Sequence, residues 1–246
     1  MNDQHMPETL KILKDGAEKM GIELTPLMEK QFILFGNRLL EKNLVMNLTT
    51  VTDPAEIQIR HFLDSLSLNM VVPLENQSYR TADMGTGGGF PGIPLKIAFP
   101  SLKITLMDSL KKRLNFLDDI IDELRCEEIE TLHGRAEDIG RNSMYRETFD
   151  LCVSRAVANL SSLCEYCIPL VKKGGIMVAY KTLQANREIS DAEKAVRILG
   201  GKVREIKEFT LPGTVMGRTL VVIEKIQATP AIYPRKAGTP AKDPIH

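Results

Sequence analysis

The sequence predicts a three-layer α/β fold with a mixed seven-stranded sheet, preceded by a small helical cap. Three observations carry this reading. From about Ser78, short β-rich runs alternate with helical segments, the pattern of strands joined by crossover helices into a mostly parallel sheet. A glycine-rich turn follows the first of these runs and opens a helix, the arrangement that makes a ligand crevice at the carboxyl end of such a sheet. The last two runs are separated only by LPGTVMG, too short for a crossover helix, so they are expected to pair antiparallel.

Residues 1–75 are read as the cap. Leu10, Leu13, Ala17 and Met20 recur at helical spacing and stop at Gly21. Thr25-Pro26 supplies an N-cap and a first-turn proline for a second helix running to about Asn43, and Asp53-Pro54-Ala55-Glu56 repeats the device for a third. Residues 76–226 form the sheet domain, with RTADM, KITLMD, EIETLH, FDLCVS, GGIMVAYK, KVREIKEFTL and RTLVVIEK as strands. Residues 227–246 contain four prolines and read as an extended, basic tail.

Composition narrows the class. The 246 residues carry 32 Lys+Arg against 32 Asp+Glu with 43% hydrophobic residues, which excludes fibrous and low-complexity chains and argues against a protein that coats nucleic acid nonspecifically. No apolar stretch approaches the ~18 residues of a membrane span, and no secretory leader is expected, so a cytoplasmic protein is anticipated. Cys126, Cys152, Cys164 and Cys167 are expected as reduced thiols. The pair Cys164 and Cys167 spells CxxC but lacks the second pair of a zinc site, so packing on a helix face is preferred and no metal is expected.

The turn Asp83-Met84-Gly85-Thr86-Gly87-Gly88-Gly89-Phe90-Pro91-Gly92 carries the chemistry. Glycines there permit a sharp turn and close backbone approach to a ligand. A dinucleotide fingerprint requires a third glycine where Phe90 stands. Asp83 would set a carboxylate near the phosphates of such a ligand, so S-adenosylmethionine, which has no phosphate and carries an ammonium group, fits better. Asp108, 21 residues beyond Gly87, can accept hydrogen bonds from ribose hydroxyls of either cofactor. After the third strand, the backbone of Ala136 and Glu137 can meet an adenine, or Glu137 can cap the next helix.

These segments resemble the bacterial small-subunit ribosomal RNA methyltransferase G family, also called glucose-inhibited division protein B. The matching stretches are NLTTVTDPAEIQIRHFLDSL (47–66), DMGTGGGFPGIPL (83–95), LMDSLKKRLNFL (106–117), GRAEDIG (134–140), FDLCVSRAVANL (149–160) and YPRKAGTPAKDP (233–244). The resemblance implies a Rossmann-like class I S-adenosylmethionine-dependent methyltransferase. Its substrate would be N7 of a guanine in the 530 loop of 16S rRNA, at position 527 in the RNA numbering, as naked rRNA or in the small ribosomal subunit, and S-adenosylhomocysteine the product. It implies cofactor contacts at Gly85, Phe90, Ala136, Glu137 and Arg155, to which the fold logic adds Asp83, Gly87 and Asp108.

Guanine N7 has an in-plane lone pair and no proton, so it can attack a sulfonium methyl without a general base, and the enzyme's task is alignment and preorganisation. Arg155 and Lys181, after the fourth and fifth strands, are the expected catalytic residues; Arg155 can serve guanine O6, a phosphate or the cofactor carboxylate. Asn47, Arg60 and His61 are expected on the RNA-binding rim, although a packed His61 is the commoner outcome. In the tail, Arg235 and Lys236 are expected on the RNA backbone, so that its removal would weaken RNA affinity and spare cofactor binding. Lys111, Lys112 and Arg113 read as a solvated charge run. A monomer is expected. The competing readings are a nicotinamide-dependent oxidoreductase and a non-catalytic RNA-binding ribosome-assembly factor on the same fold.

Overall fold

A computed structural model of the chain describes residues 5–155 and 158–246, so Ala156 and Val157 of the FDLCVSRAVANL segment lie outside the described residues. The chain opens with α1 (Lys11–Lys19) and α2 (Pro26–Met46). Thr25 accepts from the Met28 amide at the start of α2, and the helix runs on to a left-handed Asn47. Asp53 caps α3 (Pro54–Ile57) by accepting from the amides of Ala55 and Glu56. These short polar caps satisfy amides that the first helical turn leaves unpaired. The helix then widens into a π turn over Gln58–Leu63 before α4 (Asp64–Leu66) and a 3-10 turn over Ser67–Met70.

The sheet follows as β1 (Arg80–Met84), α5 (Gly92–Ala98), β2 (Lys103–Asp108), α6 (Lys111–Leu124), β3 (Ile129–His133), α7 (Ala136–Arg141), β4 (Phe149–Arg155), α8 (Leu160–Cys167), β5 (Val171–Lys181), α9 (Asn186–Ile198), β6 (Gly201–Thr210) and β7 (Gly217–Lys225). The described residues form one seven-stranded sheet of order β3-β2-β1-β4-β5-β7-β6. Strands β1 to β5 pair in parallel, and β7 runs antiparallel to both β5 and β6. Because β7 enters in reverse, its first residues share an edge with the last residues of β5: Lys181 pairs with Thr219. Chain order reverses between β1 and β4, which is where open α/β sheets bind ligands.

One core fills each face of the sheet. Phe32, Phe35, Leu39, Phe62 and Leu63 of the helical region are buried in a single cluster with Ile93, Leu106, Leu117, Leu151 and Val222. The helical region and the sheet therefore share one core, and packing is continuous across residues 75 and 76. The other face buries Leu160, Leu163, Cys164, Ala192 and Val196, and Ile245 joins it from beyond β7.

The segment after β7 corrects the expectation of an extended tail. It is fastened along its length and ends in α10 (Thr239–Lys242). Buried Lys225 donates to Ile168 O and Thr229 Oγ1. The Arg146 guanidinium donates to the carbonyls of Gly140, Thr229 and Tyr233, and Arg141 to that of Pro234. Arg235, expected on the RNA backbone, is tied into the fold: its backbone amide and guanidinium both donate to Glu165, whose side chain is 0% exposed. A carboxylate buried that deeply needs a charged partner, and Arg235 supplies it. Lys236 stays exposed. Ser162 Oγ donates to Pro240 O at 2.6 Å.

The Phe62 ring packs 5.0 Å from Phe32 and 5.9 Å from Phe35 within the helical region and lies 6.5 Å from Phe90 of the glycine turn, between ring centroids. Phe62→Ala is expected to lower stability by about 3–5 kcal/mol, measured by urea denaturation.

Candidate active site

Asp83 organises the turn. Its carboxylate is fully buried, and Oδ2 accepts from Thr86 Oγ1 at 2.7 Å and from the Gly92 amide at 2.8 Å. Oδ1 has no hydrogen-bond partner among the described residues. Burial outweighs these two donors and pushes the Asp83 pKa up to about 6. Gly85, Gly87 and Gly89 have positive φ, which side-chain-bearing residues rarely adopt. At Gly92 a Cβ would stand 2.2 Å from Leu106 Cδ2 and 2.7 Å from Asp83 Oδ2, so only glycine lets the helix start close against the carboxylate.

The first cavity, of about 400 Å³, opens beyond β1, β2 and β3 and is lined by Met84, Gly85, Asp108, Gly134, Ala136 and Glu137 among others. Asp108 accepts from the amides of Gly87 at 3.0 Å and Leu110 at 2.8 Å, and Arg113 approaches it at 3.5 Å. Lys111 and Lys112 are exposed, whereas Arg113 turns to the cavity wall. Glu137 is 5% exposed and accepts from the Gly238 amide at 2.7 Å. Gly238 and Ala241 complete the wall.

This donor set fits S-adenosylmethionine: a fixed carboxylate suits a ribose diol, and the loop after β3 suits a base. A pyrophosphate would need the amides at the start of α5, and Asp83 already occupies the Gly92 amide. Of the expected cofactor residues, Gly85, Asp108, Ala136 and Glu137 line this cavity, whereas Asp83, Gly87, Phe90 and Arg155 do not. Asp83 lies beneath the turn, and Phe90 is 6% exposed among Phe35, Phe62 and His61; the helical region takes up its ring.

The second cavity, of about 420 Å³, lies beyond β4 and β5 and is lined by Arg60, His61, Asp64, Arg155, Tyr180, Lys181, Thr182, Glu188 and Arg218. Arg155 donates to Asp64 Oδ2 and to Arg60 O, both at 2.9 Å, and its guanidinium carbon lies 5.0 Å from the Phe90 ring centroid. Asp64 Oδ1 accepts from Arg218 Nε at 2.8 Å, so one buried carboxylate holds two arginines. Lys181 Nζ donates to Glu188 at 2.7 Å and to Ala158 O at 2.8 Å.

His61 stacks on Phe90 with 4.5 Å between centroids. Its Nδ1 receives the Arg155 guanidinium at 3.3 Å, so the ring proton belongs on Nε2, donated to Thr49 Oγ1 at 2.7 Å. Burial and the neighbouring Arg155 charge lower its pKa to about 3, which keeps the imidazole neutral.

The profile of the rRNA small subunit methyltransferase G family matches residues 28–216. A ribosomal RNA small subunit methyltransferase G from Alkaliphilus metalliredigens is 47% identical over 238 residues, covering 97% of this chain and 99% of its relative. Its counterpart from Lactobacillus delbrueckii subsp. bulgaricus is 44% identical over all 246 residues, covering 100% of both. This chain belongs to the rRNA small subunit methyltransferase G family. Solved structures support the fold. A chain of the complex between the Haloferax volcanii Trm112 methyltransferase activator and a methyltransferase superposes with a TM-score of 0.57 at 13% identity, covering 77% of this chain and 98% of that one. TrmN from Thermus thermophilus gives 0.51 at 18% identity, covering 66% and 48%.

Within this methyltransferase G chain, the remaining expected residues are distributed unevenly. Arg60 is exposed on the rim of the second cavity and paired with Glu56, while exposed Asn47 ends α2 and lines neither cavity. Sequence reasoning missed Arg218, Tyr166, Gly238 and Ala241. Only the antiparallel entry of β7 carried a signal for Arg218, by placing it on the edge that holds Lys181. Cys164 and Cys167 are buried, and burial pushes the Cys164 thiol up to about 12, the reverse of a reactive thiolate. Among the described residues no helix is long and apolar enough to cross a membrane.

The Asp83 shift has a stability consequence. An acid whose folded pKa lies above its unfolded value of 3.8 holds its proton in the fold after the unfolded chain has lost it, so stability falls as pH rises from 3.8 through about 6. Asp83→Asn is expected to remove that loss, on the order of 3 kcal/mol. The check is chemical denaturation of both proteins at pH values across that window; parallel curves would contradict it.

Proposed function

We propose that this chain transfers the methyl group of S-adenosylmethionine to N7 of a guanine in 16S rRNA. The observation that carries this reading is the pair of cavities on either side of the β1–β4 reversal, one with nucleoside-binding features and one rimmed by Arg60, Arg155, Lys181 and Arg218. S-adenosylmethionine supplies an electrophilic methyl group on a sulfonium. The N7 lone pair forms the new N–C bond as the C–S bond breaks, leaving S-adenosylhomocysteine, and no proton is removed in that step.

The protein's contribution is placement. Asp64, Arg60 O and His61 fix the Arg155 guanidinium at the second cavity, where it can donate to guanine O6 or to a phosphate. Lys181 and Arg218 add cationic rims for the RNA backbone. The neutral, stacked His61 acts as packing for Arg155, not as a base. The reading carries with it a cytoplasmic protein working as a single chain on rRNA, either naked or within the small subunit.

Two rivals have less support. The occupied start of α5 disfavours a nicotinamide dinucleotide, and a solely RNA-binding role leaves the nucleoside cavity without a use. The deciding experiment incubates labelled S-adenosylmethionine with small subunits and with naked 16S rRNA, then maps N7 methylation; no transfer to either substrate would refute the proposal. Arg155→Ala is expected to lose most of the transfer, by about 10²-fold or more as for other positioning groups. Single-turnover labelling measures it, and full retention would show Arg155 to be peripheral.

A further inference from the structure

We infer that the segment after β7 is part of the cofactor's adenine subsite, with Ala241 as a residue that faces the bound base. The inference rests on the assignment of the first cavity to S-adenosylmethionine. On that assignment Asp108 takes the ribose and the Gly134–Glu137 stretch, which lines the same cavity, takes the base. Gly238 and Ala241 stand on the same wall, and Gly238 donates its amide to the Glu137 carboxylate. The segment therefore lies at the base end.

Its position is built by independent anchors. Arg235 is held on Glu165, Tyr233 O on Arg146, and Pro240 O on Ser162. Pro240 is buried between them, while its neighbour Ala241 is exposed and lines the cavity. An exposed residue on an anchored backbone can be enlarged without disturbing the core, and added bulk takes volume from the ligand. Glu137 acquires a role distinct from direct cofactor contact: its carboxylate joins the loop that meets the base to the segment beside it.

This reverses the expectation that removing residues after Ile226 would spare cofactor binding. Truncation would take away two wall residues and leave Glu137 and Glu165 without their donors.

The test is Ala241→Trp in the full chain. Calorimetry is expected to show affinity for S-adenosylhomocysteine reduced at least about tenfold, with the same factor for methylthioadenosine, which keeps the base and ribose and lacks the amino acid. The melting temperature of the ligand-free variant is expected to be unchanged. Wild-type protein provides a second readout: saturation with S-adenosylhomocysteine should slow amide hydrogen exchange across residues 235–242. Affinity within about twofold of wild type, a loss confined to S-adenosylhomocysteine, or unaltered exchange in that segment would each overturn the inference. A wild-type chain that binds neither ligand would overturn the cofactor assignment and this inference together.

Discussion

A single carboxylate oxygen organises the crevice. Asp83 Oδ2 accepts from Thr86 and Gly92 and so ties the end of β1 to the start of α5 across the glycine turn. Gly87 then donates to Asp108, which joins the turn to the end of β2. The first cavity depends on these links for its floor and its polar wall. The cost is a buried acid with one oxygen unpaired among the described residues, a strain tolerated where a backbone must be held for a ligand.

The helical region completes the second cavity from the opposite side. Asp64 and the Arg60 carbonyl reach Arg155 across the interface, and His61 lies over Phe90 from the glycine turn. The residues come from both sides of a continuous core, so the placement of the Arg155 guanidinium is set by packing as much as by hydrogen bonding. The widened π turn sits where these contacts are made, supplying both the Arg60 carbonyl and the His61 ring, in keeping with the recurrence of such turns at functional sites.

Local chemistry was legible in the sequence. Thr25 and Asp53 cap the helices they were expected to cap, because an N-cap bond spans only two or three residues. The strands were legible from their apolar runs, and the final antiparallel pair from the brevity of its loop. What escaped were contacts between distant positions: Arg218 with Asp64, Arg235 with Glu165, Gly238 with Glu137. Residue type alone makes Arg235 a candidate for RNA and Glu165 an unremarkable helix acid; only the folded chain shows that each neutralises the other. Phe90 escaped for a related reason, since its ring direction is decided by helices that precede it in the chain.

The fastening of the segment after β7 bears on when during synthesis the protein becomes competent. Residues 235–241 are translated after all seven strands, yet they supply the donors for Glu137 and Glu165 and two residues of the cavity wall. A chain translated only through β7 therefore has every residue of the sheet, the glycine turn and Arg155, but lacks two residues of the cavity wall and the donors for two buried carboxylates. The sequence of the sheet and the sequence of the cavity wall are thus completed at different points of translation, and the second waits on a short stretch outside the sheet.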